Sequence, residues 1–362
     1  MSDLFSHLSL RGVDFHNRIW VSPMCQYSAI DGVATQWHDV HIGSFATGGT
    51  GMIMMEATGV VPEGRISTAC LGLWNDKQAE RLRPIVDFAH SMGTIIGIQL
   101  AHAGRKGSCL PPWSDHPMAS KEEGGWECVA PSAISFGGKY PVPRALSIPE
   151  IRELVVAFAQ SAQLAVKAGF DLVEIHAAHG YLIHQFLSPI SNQRSDVYGG
   201  SFENRTRFIL EIAKEVRTVI PDSMPLFVRI SASDWLKDGW TITESVELCK
   251  LLKEVGVDLI DVSSGGLVHD AKITTGPGYQ VHFAQAVKDG AGILTSAVGQ
   301  INQAEQAEAI VAEKKADAVM IGREMLRNPR WAIAAAEELG EKIPWSLQLE
   351  RSRRIGARKS PQ

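Results

Sequence analysis

The sequence has no uninterrupted run of the roughly 20 apolar residues that a membrane-spanning helix requires. Its first ten residues include Asp3 and His7 and lack the basic and apolar regions of a secretory signal. A net charge of −5 gives no broad basic field that would attract nucleic acid. We therefore expect no membrane and no nucleic-acid partner, and a small molecule as substrate.

Cysteine is scarce. The five cysteines are scattered along the chain, and no two have C-x-x-C spacing. This pattern argues against a disulfide framework, an iron–sulfur cluster and a structural zinc site. It favours free thiols in a reducing cytoplasm.

A dinucleotide-binding fingerprint is also missing. The glycines at 49 and 51 lead directly into an apolar run, and those at 276 and 278 do not follow a strand and open a helix. A G-x-G-x-x-G motif needs that context to hold a pyrophosphate. The sequence therefore argues against a Rossmann unit that holds NAD tightly.

Short apolar runs alternate with longer amphipathic segments. The predicted strands are Arg18–Ser22, Met52–Ala57, Ile95–Leu100, Asp171–His176, Pro225–Ile230, Asp258–Ser263, Gly292–Ser296 and Asp317–Ile321. The predicted helices are Asp76–Met92, Pro149–Ala168, Phe202–Val219, Thr243–Val255, Ala304–Lys315 and Trp331–Leu339. The spacing of Ser147 and Glu150 resembles a capping box at the start of the second helix. Repeated βα units predict an α/β fold with a parallel sheet, and eight units match a closed (β/α)8 TIM barrel. An open doubly wound sheet is the alternative.

We expect residues 1–362 to form a single domain, because barrels of this class often carry long insertions. The longest interruption spans 103–146, is rich in Gly, Pro and Trp, and follows the third predicted strand. It should therefore form a cap over the carboxyl ends of the strands. Residues 340–362 form a predicted C-terminal tail.

Polar residues occur where a barrel core should be apolar. Alternation along Asp171–His176 places Leu172, Glu174 and His176 inward, with Val173 and Ile175 toward the helices. Gln99 and Arg229 stand at the tops of the third and fifth strands. Such buried groups need partners, and their convergence at one end suggests a polar ligand. The alternative is an internal ion pair, for example between Glu174 and Arg229.

The fourth strand leads into a dense cluster of His176, His179 and Tyr181. Both imidazoles and the phenol can donate hydrogen bonds to one oxygen, and the phenol can deliver a proton to a carbanion-like centre. The H-x-x-H spacing leaves a metal site as the alternative.

A phosphate site is predicted after the seventh and eighth strands. Gly299 and Gly322 follow these strands, and Arg323 follows the second glycine. Barrels commonly bind phosphate there through backbone N–H groups, and an arginine adds a bidentate donor. Turn glycines beside a surface arginine are the alternative.

Taken together, these motifs resemble the old yellow enzyme family of FMN-dependent ene-reductases, in particular the thermophilic-like subclass that includes the xenobiotic reductases. The resemblance runs from Phe5 to about Arg351. It is carried by Asn17-Arg18 and Arg229 and by the segments 22–27, 99–106, 176–182, 195–205, 263–265, 296–299 and 321–323. Their order along the chain makes the resemblance specific.

The resemblance implies a non-covalent FMN across the barrel mouth. The implied cofactor-binding residues are Pro23, Met24, Cys25, Ala57, Gln99, Arg229, Val298, Gly299, Gly322 and Arg323. Gln99 would bind the pyrimidine edge, and Arg229 would stabilise the reduced flavin near N1. Some relatives carry an aromatic residue at the position of Val298, so we expect a roomier pocket.

The resemblance also implies a ping-pong ene-reductase, with NADPH or NADH as a transient reductant. Hydride would pass from flavin N5 to the β-carbon of an activated alkene, such as an unsaturated carbonyl or a nitro compound. His176 and His179 would hold the substrate oxygen, Tyr181 would protonate the α-carbon, and Cys25 and Tyr27 would line the pocket.

The same subclass implies a homo-oligomer, a dimer or tetramer, in which Arg351 reaches a neighbour's site. Three other functions remain as alternatives: a dihydroorotate-type flavin oxidation, a metal-dependent barrel hydrolase and a flavin-binding sensor without turnover.

Overall fold

The computed structural model describes residues 2–353, and its centre is a closed barrel of eight parallel strands. In chain order these are β3 Ile19–Val21, β4 Met52–Gly59, β5 Ile95–Ala101, β8 Leu172–Ala177, β9 Leu226–Ser231, β10 Leu259–Ser263, β11 Leu294–Ala297 and β12 Ala318–Ile321. Each strand pairs with its neighbour in the series, and β12 closes the barrel on β3. The predicted (β/α)8 fold is confirmed.

Two short pairs lie outside the barrel: β1 Leu8–Leu10 with β2 Val13–Phe15, and β6 Val129–Ala130 with β7 Arg144–Ala145. The helices are α1 Gln36–Ala46, α2 Asp76–Ser91, α3 Ile148–Ala168, α4 Leu182–Leu187, α5 Phe202–Val219, α6 Ile242–Glu254, α7 Val281–Ala291, α8 Ala304–Ala312, α9 Arg323–Arg327 and α10 Trp331–Glu338. None of the helices among these described residues is long and apolar enough to cross a membrane.

Local chemistry sets the ends of these elements. Ser147 and Glu150 form the predicted capping box at α3, with the Ser147 backbone N–H donating to Glu150 Oε2 at 2.7 Å. Thr241 caps α6 in the same way. The prediction that a strand begins at Gly292 was wrong, because this glycine ends α7 at φ +61° and the strand begins at Leu294.

The lower barrel is filled by aromatic and sulfur side chains. Phe15, from β2, enters the amino-terminal end, where its ring centroid lies 4.9 Å from that of Trp20. Leu172 and Phe227 pack in the same lumen cluster, whereas Val173 belongs to the layer between strands and helices. The alternation predicted for the fourth strand is therefore present. Polar side chains occupy the lumen only nearer the carboxyl ends of the strands.

The insertion at 103–146 lies over the carboxyl ends of the strands. Its residues, among them Leu110 and Phe136, form a cavity of about 530 Å³ together with Tyr27 and Tyr181 from the loops after β3 and β8. The insertion thus forms one wall of the space above the barrel mouth.

Candidate active site

A second cavity, of about 330 Å³, opens at the carboxyl ends of β10, β11 and β12. Val298, Gly299, Gly322 and Arg323 line it, so the residues predicted to hold a phosphate share one pocket. A Cβ on Gly322 would meet nothing closer than Met24 Sδ at 3.7 Å, which shows open space beside this backbone. Arg323 is exposed and makes no hydrogen bond or ion pair with the other described residues, so its guanidinium is available to an anion.

A buried polar cluster lies at the upper end of the lumen. Arg229 pairs with Asp261 at 2.9 Å between Nε and Oδ2, and its Nη2 donates to Ser22 Oγ at 3.2 Å. Asp261 also accepts from Ser296 Oγ at 3.0 Å. The suggested ion pair between Arg229 and Glu174 is wrong, because β9 and β10 are neighbours and place Asp261 beside Arg229 in register.

Glu174 instead accepts from Gln99 Nε2 at 2.7 Å, and its second oxygen has no hydrogen-bond partner within residues 2–353. Burial, followed by the nearby Asp261, raises the pKa of Glu174 to about 8. The raised pKa favours the protonated form of this carboxyl group at neutral pH. The carboxyl groups of Glu174 and Asp261 can thus both lie near the Arg229 guanidinium without leaving a negative charge uncompensated.

His176, His179 and Tyr181 meet at the top of β8. The ring centroid of His176 lies 5.2 Å from that of His179 and 5.1 Å from that of Tyr181. Burial, followed by the charge of Arg229, lowers the pKa of each histidine well below its usual value, so both rings are neutral. Burial raises the pKa of Tyr181, so its phenol keeps the proton.

Neighbouring groups occupy one nitrogen of each imidazole. His176 Nδ1 accepts from the Ala178 backbone N–H at 3.3 Å, so its proton is on Nε2. His179 Nε2 lies 2.7 Å from Ser263 Oγ. Ser263 Oγ also lies 3.4 Å from Gln280 Oε1, a longer contact that competes for the same hydroxyl proton. When the serine hydroxyl donates the shorter bond to His179, Nδ1 of His179 carries the ring proton and can donate to a ligand.

Lys106 is a charged residue of this site that the sequence reasoning did not assign a role. Its Nζ donates to the backbone oxygens of His179 at 2.7 Å and Gly266 at 3.1 Å, and lies 4.9 Å from the Tyr181 ring centroid. Burial, followed by Arg105, lowers the pKa of Lys106 to about 8. The only available signal was its place in the motif at 99–106, after a strand end.

The loop after β3 brings Pro23, Met24, Cys25 and Tyr27 to the same end of the barrel. Tyr27 has a left-handed backbone, φ +51°, and its ring meets Trp113 of the insertion edge to face at 5.8 Å. Cys25 and Tyr27 pack against a small buried cluster that includes Ala57, as does Tyr181. These side chains thus join the β3 loop to the histidine and tyrosine cluster.

Arg351 is the one predicted site residue that lies elsewhere. It is exposed, and the segment before it lines a cavity with Gly49 and Thr94, which precede β4 and β5. This cavity is at the amino-terminal end of the barrel, opposite the other site residues. The C-terminal tail predicted at 340–362 includes residues 354–362, which lie outside the described residues.

The described residues offer little support for a metal at the H-x-x-H motif. One group of three possible ligands lies close enough to hold an ion, and it consists of Cys25, Glu56 and Cys70. Neither His176 nor His179 belongs to it. One nitrogen of each ring has a hydrogen-bond partner, and neither ring lies in a described group of possible metal ligands.

The model of the NADH:flavin oxidoreductase / NADH oxidase family matches residues 3–342. The chain belongs to this family. It is 49% identical over 354 residues to an NADPH dehydrogenase of Geobacillus thermodenitrificans, covering 97% of this chain and 99% of the relative. It is also 46% identical over 380 residues to an NADH:flavin oxidoreductase of Gibberella zeae, covering 99% and 92% of the two chains.

Solved structures place this family member among the old yellow enzymes. Morphinone reductase has a TM-score of 0.78 and 28% identity, over 94% of this chain and 91% of that one. The old yellow enzyme homologue of Zymomonas mobilis has a TM-score of 0.76 and 28% identity, over 95% of both chains. A further structure shows morphinone reductase in complex with tetrahydroNAD.

The protein is therefore an oxidoreductase of old yellow enzyme type that uses FMN with NADH or NADPH. Its residues fit this cofactor. The open backbone at Gly322 and the unpaired Arg323 suit a phosphate, and the buried polar groups of Gln99 and Arg229 suit a polar ring edge.

Proposed function

We propose that the enzyme reduces activated alkenes, with unsaturated carbonyl compounds as the principal class and nitro compounds as a second. Bound FMN would supply the hydride chemistry, with NADPH or NADH as the reductant. The observation that carries the proposal is the meeting of two neutral imidazoles and one protonated phenol beside a cavity. This set suits an oxygen that gains negative charge and a carbon that needs a proton.

The two histidines bind the carbonyl or nitro oxygen. His176 donates from Nε2, and His179 donates from Nδ1 while Ser263 holds its other nitrogen. Neutral donors serve here because burial and Arg229 disfavour imidazolium. Each donor of this kind contributes roughly 3–4 kcal/mol to stabilising an oxyanion.

Tyr181 is the proposed proton donor to the α-carbon. Its hydroxyl keeps the proton in the resting enzyme because burial raises its pKa. As the proton leaves, the ammonium of Lys106, whose Nζ lies 4.9 Å from the centroid of the Tyr181 ring, stabilises the phenolate. Cys25 and Tyr27 shape the pocket, and the one cavity serves reductant and substrate in turn, which gives a ping-pong mechanism.

The cofactor-binding roles belong to the same proposal. Gly299, Gly322 and Arg323 bind the FMN phosphate, and Val298 lines the pocket beside them. Gln99 binds the pyrimidine edge while Glu174 orients its amide. Arg229 stabilises negative charge at the reduced ring, and Pro23, Met24, Cys25 and Ala57 pack around the rest.

We also propose a homo-oligomer, a dimer or tetramer, in which Arg351 enters a neighbour's site. This arginine is exposed and far from its own site, and α1 and α2 expose Trp37, Val40 and Phe88. Sedimentation velocity tests the assembly.

A cytoplasmic location is proposed because all five cysteines are free thiols.

Replacing Tyr181 by phenylalanine tests the proton-donor role. The Tyr181→Phe enzyme should keep the wild-type rate of flavin reduction by NADPH, because the phenol is not needed there. Its flavin oxidation by 2-cyclohexenone should slow by about 10²–10⁴-fold, the usual contribution of a general acid. Anaerobic stopped-flow absorbance separates the two half-reactions, and an equal loss in both would contradict the role.

A further inference from the structure

The loops after β3 and β4 bring two thiols together beside the proposed substrate pocket. The sulfur atoms of Cys25 and Cys70 and a carboxylate oxygen of Glu56 all lie within 4.8 Å of one another. Cys25 is partly exposed, whereas Cys70 has no exposed surface. The sequence shows no sign of this pair, because 44 intervening residues separate two unrelated loops.

Neighbouring groups hold this pair in place. Glu56 lies at a bulge of β4, where the register against β5 shifts between Met55 and Ala57. Its carboxylate faces His38 Nε2 at 3.2 Å and accepts from the Gln26 backbone N–H at 3.1 Å. Ser67 Oγ lies 3.2 Å from Cys70 Sγ on the other side. The two thiols are thus held in contact by polar groups rather than loosely packed.

We propose that Cys25 and Cys70 form a reversible disulfide that lowers turnover when hydrogen peroxide is present. Peroxide reaches Cys25 first because this thiol alone is accessible. Its effect on turnover rests on the proposed function, but formation of the bond does not.

The oxidation of the two thiols by one hydrogen peroxide balances without a further reactant. The Cys25 sulfur attacks one peroxide oxygen, the O–O bond breaks, and the leaving hydroxide takes the thiol proton to give water and a sulfenic acid. The Cys70 sulfur then attacks the Cys25 sulfur. The S–S bond forms, the S–O bond breaks, and the departing hydroxide leaves as a second water with the Cys70 proton. Two thiols are oxidised by two electrons, and one peroxide is reduced.

The electrostatics favour Cys70 as the resolving thiol. Its contact with the Cys25 thiol lowers the pKa of Cys70, and the same contact raises the pKa of Cys25. Ser67 supports the Cys70 thiolate with a hydrogen bond. A thiolate is the form that attacks a sulfenic sulfur, so the buried partner is the better prepared of the two for the second step.

The bond would change the active site through packing. Cys70, Ala57 and Ala103 belong to the small buried cluster that supports Cys25, Tyr27 and Tyr181. Bringing the two sulfurs to bonding distance, about 2.05 Å, draws the Cys25 and Cys70 side chains closer together than they are in the reduced pair. Tyr27 and Tyr181 then lose part of their support.

To test the proposal, the FMN-loaded enzyme is treated with equimolar hydrogen peroxide and its free thiols are then alkylated. The peptides are mapped by mass spectrometry. We expect a Cys25–Cys70 cross-linked peptide, three alkylated cysteines, and ene-reductase activity that falls by about tenfold and returns with dithiothreitol. In Cys70→Ser the cross-link should be absent, and Cys25 should advance to a sulfinic acid that dithiothreitol does not reverse. Cys128→Ala, a change outside the pair, should behave like the wild type.

The peptide map separates this proposal from the ene-reductase assignment. An enzyme without ene-reductase activity that still forms the cross-link would refute the assignment and retain the disulfide. Wild-type protein in which Cys25 becomes sulfinic while Cys70 is still alkylated would overturn the disulfide. A cross-link that leaves turnover unchanged would overturn its regulatory effect.

Discussion

Replacing Lys106 by methionine removes a positive charge beside the proposed proton donor and retains most of the side-chain volume. The lysine Nζ lies 4.9 Å from the Tyr181 ring centroid. At an effective dielectric constant of about 20, a full phenolate charge at that separation would gain about 3.4 kcal/mol. About half that charge has developed at the transition state of proton transfer, so Lys106→Met should lose about 1.7 kcal/mol, or about 20-fold in rate.

Anaerobic stopped-flow absorbance measures this loss. Flavin oxidation by 2-cyclohexenone should slow about 20-fold in Lys106→Met, whereas flavin reduction by NADPH should stay near the wild-type rate. Lys106→Arg is the matched control, because it keeps the charge, and its rate should be close to wild type.

The pH profile gives an independent check of the same charge. Because the pKa of Lys106 is lowered to about 8, its ammonium is present below that pH and is lost as pH rises through it. The wild-type rate of flavin oxidation should therefore fall above about pH 8, and Lys106→Met should show no such fall. Equal losses in Lys106→Met and Lys106→Arg would refute the electrostatic reasoning and leave only a packing role.

Two further predictions concern the tautomer of His179 and the protonation of Glu174. Ser263→Ala should weaken binding of phenol-type ligands by about 5- to 10-fold in a spectral titration, because it removes the bond that leaves Nδ1–H of His179 free. Unchanged affinity would remove Ser263 from this role. Glu174 is neutral below about pH 8 and charged above it, where its carboxylate opposes negative charge on the reduced cofactor near Arg229 and Asp261. The flavin midpoint potential should therefore fall more steeply above about pH 8 in the wild type than in Glu174→Gln, and identical pH curves would contradict the assignment.

Much of the fold could be predicted because hydrophobic alternation and helix caps are local signals. The eight strands were all found from runs of apolar residues, and Ser147 marked the start of a helix through its spacing to Glu150. Element ends were less accurate, since a glycine such as Gly292 can end a helix or begin a strand. Helix α7 was missed because Val281–Ala291 shows no strong start signal.

The site was predicted only in part, because its remaining members depend on tertiary neighbours. His176, His179 and Tyr181 lie within six positions of one another, so the strand end alone brought them together. Asp261 lies on β10 and faces Arg229 through the barrel register, whereas Lys106 lies in the loop after β5 and reaches Tyr181 through the conformation of that loop. The contact between Cys25 and Cys70 likewise needed two loop conformations that no local pattern specifies.

The central claim is that a nicotinamide and an activated alkene react in turn in one cavity, and that the flavin carries the electrons from the first to the second. The most direct measurement is the flavin absorbance of the purified enzyme under anaerobic conditions. We predict that the yellow colour bleaches with one equivalent of NADPH and returns with one equivalent of 2-cyclohexenone, with cyclohexanone as product. A bleached enzyme that stays colourless after the enone is added, or recovers without forming cyclohexanone, would contradict the account.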